Sequence, residues 1–531
     1  MTFDCILQNG NVLDGSGNAA VRADIGISGN TIAAIGDLSA APAGRAIDAA
    51  GKTVAPGFID AHRHADTAVF RPGFGEAELL QGLTTVINGN CGLSAAPVFG
   101  PHAKATAAYL YPITGDLSGM PTESLSAYHA ALRSRPLPLH TGMLAGMGTI
   151  RAAVAGFSDA PLTDAQYREI HALLERTLSE GALGVSLGLG YAPECFYDTA
   201  GLVRALEPIR NTSVPLSVHT RSESMNLLPS LSEAIAVAKA LRVPLQISHL
   251  KAVGRERWGK LIYDALEIIR RAREDGLDVL CDAYPYTAGS TQLLHVLPPE
   301  FLEGGADAIA KRLTEPDALL SLNERLLSGT DYDNYAMLIG WENIEISSVR
   351  NEADRPLIGR TIAEAAGDLP PWRFFADLLA RNRCAVTMID RLTSEDDIAE
   401  IYRTPFAYVI SDATYPSDGR MHPRVYGTCV HVLERFVEKR RSLTLAEAVH
   451  KMTRMPADRY GLKRKGRIEV GADADILIFD PEKLHERATF NDPAQCCEGI
   501  ETVLVNGVIA VENGEQTAGY NGEILERGGN A

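Results

Sequence analysis

Short apolar runs recur along the middle of the chain, and several of them end on a residue that can bind a metal. Candidate strands lie at 55–64, 83–91, 139–145, 182–188, 214–219, 243–249, 278–284 and 407–412. Between several of them the apolar spacing changes to that of a helix. Such stretches run from Thr163, a suitable N-cap, to Glu180, from Ser232 to Leu241, and from Gly259 to Glu274. Eight strands alternating with helices predict an α/β fold built on a (β/α)8, TIM-like barrel. A doubly wound open sheet is the alternative, since it also gathers ligands at C-terminal strand ends. The count of eight and the ligand pattern favour the barrel.

The two ends of the chain have a different texture. Cys5–Gly10, Asp24–Ile27 and Thr31–Ile35 read as short strands between Gly-rich turns, and the same pattern returns at Gly466–Glu469, Ala474–Asp480 and Thr502–Gly507. This predicts one small β-sandwich built from residues 1–55 and 466–531, flanking a barrel at 56–465. More chain separates the seventh and eighth strands than one helix needs. Residues from about 290 to 350 therefore read as an insertion after barrel strand 7, with Pro298-Pro299 and Gly304-Gly305 marking loops. Over the active-site face it would be a lid, a specificity element or a stabilising subdomain.

Composition narrows the class. The chain has 531 residues, too many for one ordinary core, and 46% hydrophobic residues, enough for a fully folded protein. A net charge of −17, from 50 Lys+Arg against 67 Asp+Glu, argues against nucleic acid or an anionic membrane as partner. No apolar run approaches the roughly 18 residues of a membrane span. The N-terminus has no basic segment followed by an apolar one, so the expected location is cytoplasmic. The eight cysteines are scattered and suggest no disulfide framework.

The chemistry lies at the strand ends. His62 and His64 are two apart on a strand, so both point to one side and Arg63 to the other. His219 and His249 each close an apolar run, and Asp412 follows the last one. Cys91 closes the second, within Gly89-Asn90-Cys91-Gly92. In a parallel barrel these ends meet on one face. A thiolate among histidines is a strong donor set for zinc; a nucleophilic cysteine working with a histidine is the competing reading.

The pattern resembles the amidohydrolase superfamily: His-x-His on the first strand, His on the fifth and sixth, Asp on the eighth. Gly466-x-Ile468-x-x-Gly471-Ala472-Asp473-Ala474-Asp475 and Val505-Asn506-Gly507 resemble its terminal β-sandwich. Within it, Gly89-Asn90-Cys91-Gly92 is similar to the N-acyl-D-amino acid deacylases, in which Cys replaces a bridging carboxylated Lys. The fourth-strand segment Gly184–Tyr191 contains no Lys, in agreement. The resemblance implies a tight Zn2+ on Cys91, His219 and His249, and a second, weaker position at His62 and His64 that shares Cys91. It implies Asp412 as catalytic acid/base and Arg424 as binder of the substrate α-carboxylate, with Tyr191, Lys251, Tyr284 and Ser290 also on substrate-binding motifs. The implied reaction is hydrolysis of the amide bond of a small N-acyl-D-amino acid to a carboxylate and a free D-amino acid.

Two departures bear on substrate choice. Ala413-Thr414 follows Asp412 where the family usually has Gly, and Arg63 is larger than the usual residue between the histidines. An acidic substrate side chain would require a second cation, for which Arg221, Lys251 and Arg63 are the candidates. Two other outcomes stay open: a different amidohydrolase reaction, on cyclic amides, imides or dipeptides, and a catalytically silent binding or scaffold relative.

Overall fold

The computed structural model describes residues 2–416 and 418–529. Met1, Ser417, Asn530 and Ala531, and with them the outermost bounds of the expected terminal domain, lie outside the described residues. Eight parallel strands form its centre. Phe58–Asp60 pairs with Leu83–Asn88, and that strand with His140–Met143. The third strand resumes after Leu144 as Ala145–Gly146 and pairs with Val185–Gly188. Leu216–His219, Leu245–Ile247, Val279–Ala283 and Ala407–Val409 follow in order. Short extensions of the last and first strands, Ala413–Thr414 and Arg63–His64, pair in parallel and close the ring. An open sheet would leave these two edges unpaired.

The strands are buried on both faces, which explains their near-continuous apolar runs. Helices follow where the spacing predicted them. Asp164–Ser179 is capped by Thr163 in a reciprocal box with Gln166. Leu227–Leu241 starts earlier than expected because Pro229 falls in its first turn, where the missing N–H costs nothing. Leu261–Glu274 completes the set.

The run at 55–64 divides between two sheets. Thr53–Pro56 joins the terminal sheet, while Phe58–Asp60 opens the barrel. The break falls at Gly57, where a Cβ would sit 2.2 Å from Thr84 Oγ1. The terminal sheet has nine strands drawn from both ends of the chain. Its junction pairs Ile476–Phe479 antiparallel to Thr53–Pro56. Its own apolar core includes Ile25, Ile27, Val54, Ile476 and Leu504.

After the seventh barrel strand the chain makes a long excursion. Ala288–Gln292, Val386–Arg391 and Ile344–Val349 form a three-stranded antiparallel sheet with the Val386–Arg391 strand in the middle. The excursion therefore continues well past residue 350. Glu395–Arg403 then supplies a helix before the eighth strand.

Arg63 locks the closing seam. It is 0% exposed. Its Nη1 donates to Asp60 Oδ2 at 3.0 Å and Ser411 Oγ at 3.1 Å, Nη2 to Glu78 Oε1 at 2.7 Å and the Val425 carbonyl at 2.9 Å, and Nε to Tyr415 Oη at 2.6 Å. Every N–H vector of the guanidinium is thus directed into the seam. The expectation that Arg63 could supply a cation to the pocket is overturned. We predict that Arg63→Ala, which strands Asp60 and Glu78 without their counter-charge, destabilises the fold by about 3–5 kcal/mol. Urea unfolding of the two proteins measures it, and a loss below about 1 kcal/mol contradicts the role.

Candidate active site

Three of the sequence-predicted residues share an uncommon backbone conformation. Cys91, His249 and Asp412 lie just beyond their strands with φ of 54°, 34° and 55°. This left-handed region costs a non-glycine residue about 1–3 kcal/mol and persists only where surrounding contacts hold it. Those contacts are present. Ser186 Oγ receives the Gly92 N–H at 3.0 Å and donates to the Gly89 carbonyl, bracketing Cys91. Asp282 Oδ1 accepts the His249 N–H, and the His62 carbonyl accepts the Asp412 N–H at 2.9 Å.

The side chains converge. His62 Nε2 is 3.2 Å from Cys91 Sγ, Cys91 Sγ is 3.4 Å from His249 Nε2, and His219 Nδ1 is 2.9 Å from His249 Nε2. His62 Nε2 and His64 Nε2 each lie 3.4 Å from Asp412 Oδ1. Two overlapping donor sets result, Cys91-His219-His249 and His62-His64-Cys91-Asp412, each with all its atoms within 4.8 Å. Ligands of a tetrahedral zinc stand roughly 3.3–3.8 Å apart; the 3.2–3.4 Å contacts through Cys91 come close to this, while His219 and His249 at 2.9 Å lie nearer than an ion would hold them. The structure brings together all six residues read from the sequence as metal ligands or acid/base.

Electrostatics fit the same picture. Burial, reinforced by Asp412, pushes the Cys91 thiol well above its usual range, which disfavours a free thiolate nucleophile. Burial also holds His62 and His219 well below the usual imidazole range. Neutral imidazoles keep the lone pairs that a metal requires. Asp412 responds differently. Burial raises it, but Arg424 and a hydrogen bond from His64 oppose burial, and it stays well below the usual carboxylate range.

The predicted substrate-binding residues fall into two groups. Tyr191, Lys251, Tyr284 and Ser290 line the cavity above the donor cluster, with Tyr191 Oη 2.9 Å from Thr291 Oγ1. Arg424 lies behind the wall. It is fully buried, donating from Nη1 to Asp412 Oδ2 at 2.9 Å and from Nη2 to the Ser290 carbonyl at 2.8 Å, and its Nε has no partner among the described residues. Arg221 is held by Glu233 and by the carbonyls of Cys195 and Tyr197. Of the three candidate second cations, only Lys251 lines the cavity.

Sequence reasoning missed Glu223. Lys251 Nζ donates to its Oε1 at 2.5 Å, and His249 Nδ1 is 2.9 Å from the same oxygen. Lys251 Nζ also lies 3.1 Å from Nδ1; with a proton on Nδ1 shared with the nearer carboxylate, Nε2 is left as the ligand atom. The only signal was a carboxylate four residues after His219, in a polar stretch that reads as ordinary loop.

A barrel whose strand ends gather histidines, a cysteine and an aspartate defines a class of metal-dependent hydrolases, and the chain belongs to the amidohydrolase family. The family model matches residues 45–299 and 391–511. Two relatives from Alcaligenes xylosoxydans xylosoxydans are similar over nearly the full length. A D-aminoacylase is 32% identical, covering 99% of this chain and 98% of its own. An N-acyl-D-glutamate deacylase is 35% identical, covering 95% and 93%. Among solved structures, the N-acyl-D-glutamate deacylase of Bordetella bronchiseptica, complexed with zinc and a phosphonate mimic of the tetrahedral intermediate, superposes with a TM-score of 0.84. It is 30% identical, covering 99% of this chain and 100% of that one.

The Lys251–Glu223 pair generates a test. Burial acts against both charges, yet Lys251 holds Glu223 well below, and Glu223 holds Lys251 above, their ordinary ranges. The pair's stabilisation is therefore complete between the ordinary Glu and Lys ranges, and is lost as the pH falls through the lowered Glu223 value or rises through the raised Lys251 value. Lys251→Met on metal-stripped protein is expected to cost about 3–5 kcal/mol at pH 8. Without the ammonium, burial is opposed only by His219 and His249 and the pKa of Glu223 rises, so the variant recovers part of that loss at pH 5. Urea unfolding at both values checks the sign, and a loss that grows on acidification contradicts it.

Proposed function

We propose that this amidohydrolase hydrolyses the amide bond of N-acyl-D-amino acids, releasing a carboxylate and a free D-amino acid, with zinc as its metal. One observation carries the reading: a Cys-His-His donor set adjoins an ionised aspartate in a chain whose full-length relatives carry the names D-aminoacylase and N-acyl-D-glutamate deacylase. The donor chemistry suits zinc, and His62 Nε2, Cys91 Sγ, His249 Nε2 and His219 Nδ1 face one another at 2.9–3.4 Å. Cys91, His219 and His249 are the residues we assign to one tight ion. His62 and His64, sharing Cys91, are assigned to a second, weaker position. When bound, zinc polarises the amide carbonyl and lowers the pKa of a water molecule.

The remaining work falls to the chain's own groups. Asp412 takes a proton from the attacking water and returns it to the leaving nitrogen, which an amide requires because its anion leaves poorly. A carboxylate held so far below its usual range is a weak base. Arg424 is assigned to the substrate α-carboxylate; its guanidinium meets the cavity wall at Asp412 and the Ser290 carbonyl. Drawing the guanidinium toward that carboxylate loosens its hold on Asp412 and raises the basicity of Asp412 at the moment of use. Tyr284 and Ser290 orient the carboxylate, and Tyr191 stands beside the carbonyl.

We assign residues 56–465 to the catalytic barrel, and 1–55 with 466–531 to a small β-sandwich; the separate apolar core of the terminal strands supports this division. No helix among the described residues is long and apolar enough to cross a membrane, and all eight cysteines are free. Both facts are consistent with a cytoplasmic enzyme acting on a small molecule.

Zinc-reconstituted protein assayed on paired N-acetyl-D- and N-acetyl-L-amino acids, with metal content measured on the same sample, tests the function. Turnover confined to D-substrates is expected, and turnover of hydantoins or dipeptides in their place overturns it. Asp412→Asn is expected to retain its metal and lose turnover by about 10²–10⁴-fold. A near-normal rate in that variant removes Asp412 from the proton transfer.

A further inference from the structure

Three carboxylates line the cavity, Glu223, Asp390 and Asp412, and the first and last are already engaged by Lys251 and Arg424. Asp390 has no such role. It sits on Val386–Arg391, the middle strand of the excursion sheet, opposite Gly289. It is 1% exposed, and neither of its oxygens has a hydrogen-bond partner among the described residues. Gly289 leaves room for it. A Cβ there would sit 2.9 Å from Asp390 Oδ1 and 3.0 Å from Tyr284 Oη, so both groups border the same space in the wall. A buried acceptor left without a donor costs about 1–3 kcal/mol, and more if charged.

The charge count gives the sign of what would meet it. Lys251 is matched by Glu223 at 2.5 Å and Arg424 by Asp412 at 2.9 Å, which leaves Asp390 the cavity carboxylate without a protein cation. Burial raises its pKa to about 7, and Lys251 and Arg424 pull the other way. The same cavity is lined by Leu392 and Ile113, which offer apolar surface, and by the aromatic ring of Tyr335. An aliphatic stem that ends in a cation matches this wall; a carboxylate side chain would face Asp390 at like charge with Arg63 and Arg221 both committed elsewhere.

We propose that Asp390 selects substrates by their side chain, favouring N-acyl-D-amino acids that end in a cationic nitrogen, of the lysine or arginine type. The proposal rests on the deacylase reading above and departs from relatives whose names specify D-glutamate and D-aspartate.

The test compares kcat/KM of the zinc-loaded enzyme on N-acetyl-D-lysine, N-acetyl-D-norleucine and N-acetyl-D-glutamate. Norleucine has the lysine stem without the ammonium. Wild type is expected to prefer lysine over norleucine by about 10-fold or more, mainly in KM, and norleucine over glutamate. Asp390→Asn is expected to abolish the lysine advantage while leaving norleucine within about 3-fold of wild type. Equal or better turnover of norleucine by wild type overturns the proposal alone, as does an equal loss on both substrates in the variant. Failure to hydrolyse any of the three overturns the deacylase reading and this proposal together.

Discussion

Desolvation of the Cys91 thiol and the imidazoles around it is the constraint on which the rest of the site depends. Burial holds Cys91, His62 and His219 in their neutral forms, and a cluster of neutral donors packed at 2.9–3.4 Å is poorly satisfied by the protein alone. Such an arrangement persists because the barrel over-determines it. The left-handed backbone at Cys91, His249 and Asp412 is fixed by Ser186, Asp282 and the His62 carbonyl, each on another strand or its extension. Arg63 then holds together the seam at which the first and last strands meet. The residues that do chemistry and those that close the barrel are interleaved in sequence, with Arg63 between His62 and His64, and alternation along the strand keeps their functions on opposite sides.

Two ion pairs set the electrostatic state of the cavity. In each, a cation lowers a buried carboxylate that burial alone would raise: Lys251 acts on Glu223 and Arg424 on Asp412. The first pair lies against Nδ1 of His249, and the second keeps Asp412 ionised beside His62 and His64. Both cations fall on substrate-binding motifs, yet both are already partnered by acids in this structure. On the assignments proposed above, substrate would compete with the protein's own carboxylates for these cations, and binding and proton transfer would share the same groups.

Much of this was legible in the sequence because strand-end ligands carry two signals at once, an apolar run and a metal-binding residue at its end. His62, His64, Cys91, His219, His249 and Asp412 all had both. Glu223 had neither, since its role depends on a loop fold that brings it to His249. Arg63 was misread because its spacing gave the correct side of the strand while its partners, Glu78, Ser411 and Tyr415, are distant in sequence. The break at Gly57 was hidden because apolar periodicity does not distinguish two strands in line from one, and only the close approach of Thr84 marks the division. The extent of the excursion was hidden for a related reason: Val386–Arg391 pairs antiparallel with residues nearly a hundred positions earlier, beyond the range of turn signals.

That excursion explains how one reaction can serve different substrates. The family match stops at residue 299 and resumes at 391, so Cys91, His219, His249, Asp412 and Arg424 lie inside it while Tyr335 and Asp390 lie outside. The metal cluster and its acid belong to the shared barrel, where a shift of side chain would disturb every ligand at once. The far wall of the cavity is built on a separate sheet, which meets the site at the Ser290 carbonyl, an acceptor of Arg424. Substitutions there alter charge and shape next to the substrate side chain without changing the donor geometry. Overall similarity of about a third in identity therefore carries the reaction, while the side-chain preference proposed above is placed on Asp390, which the match does not include.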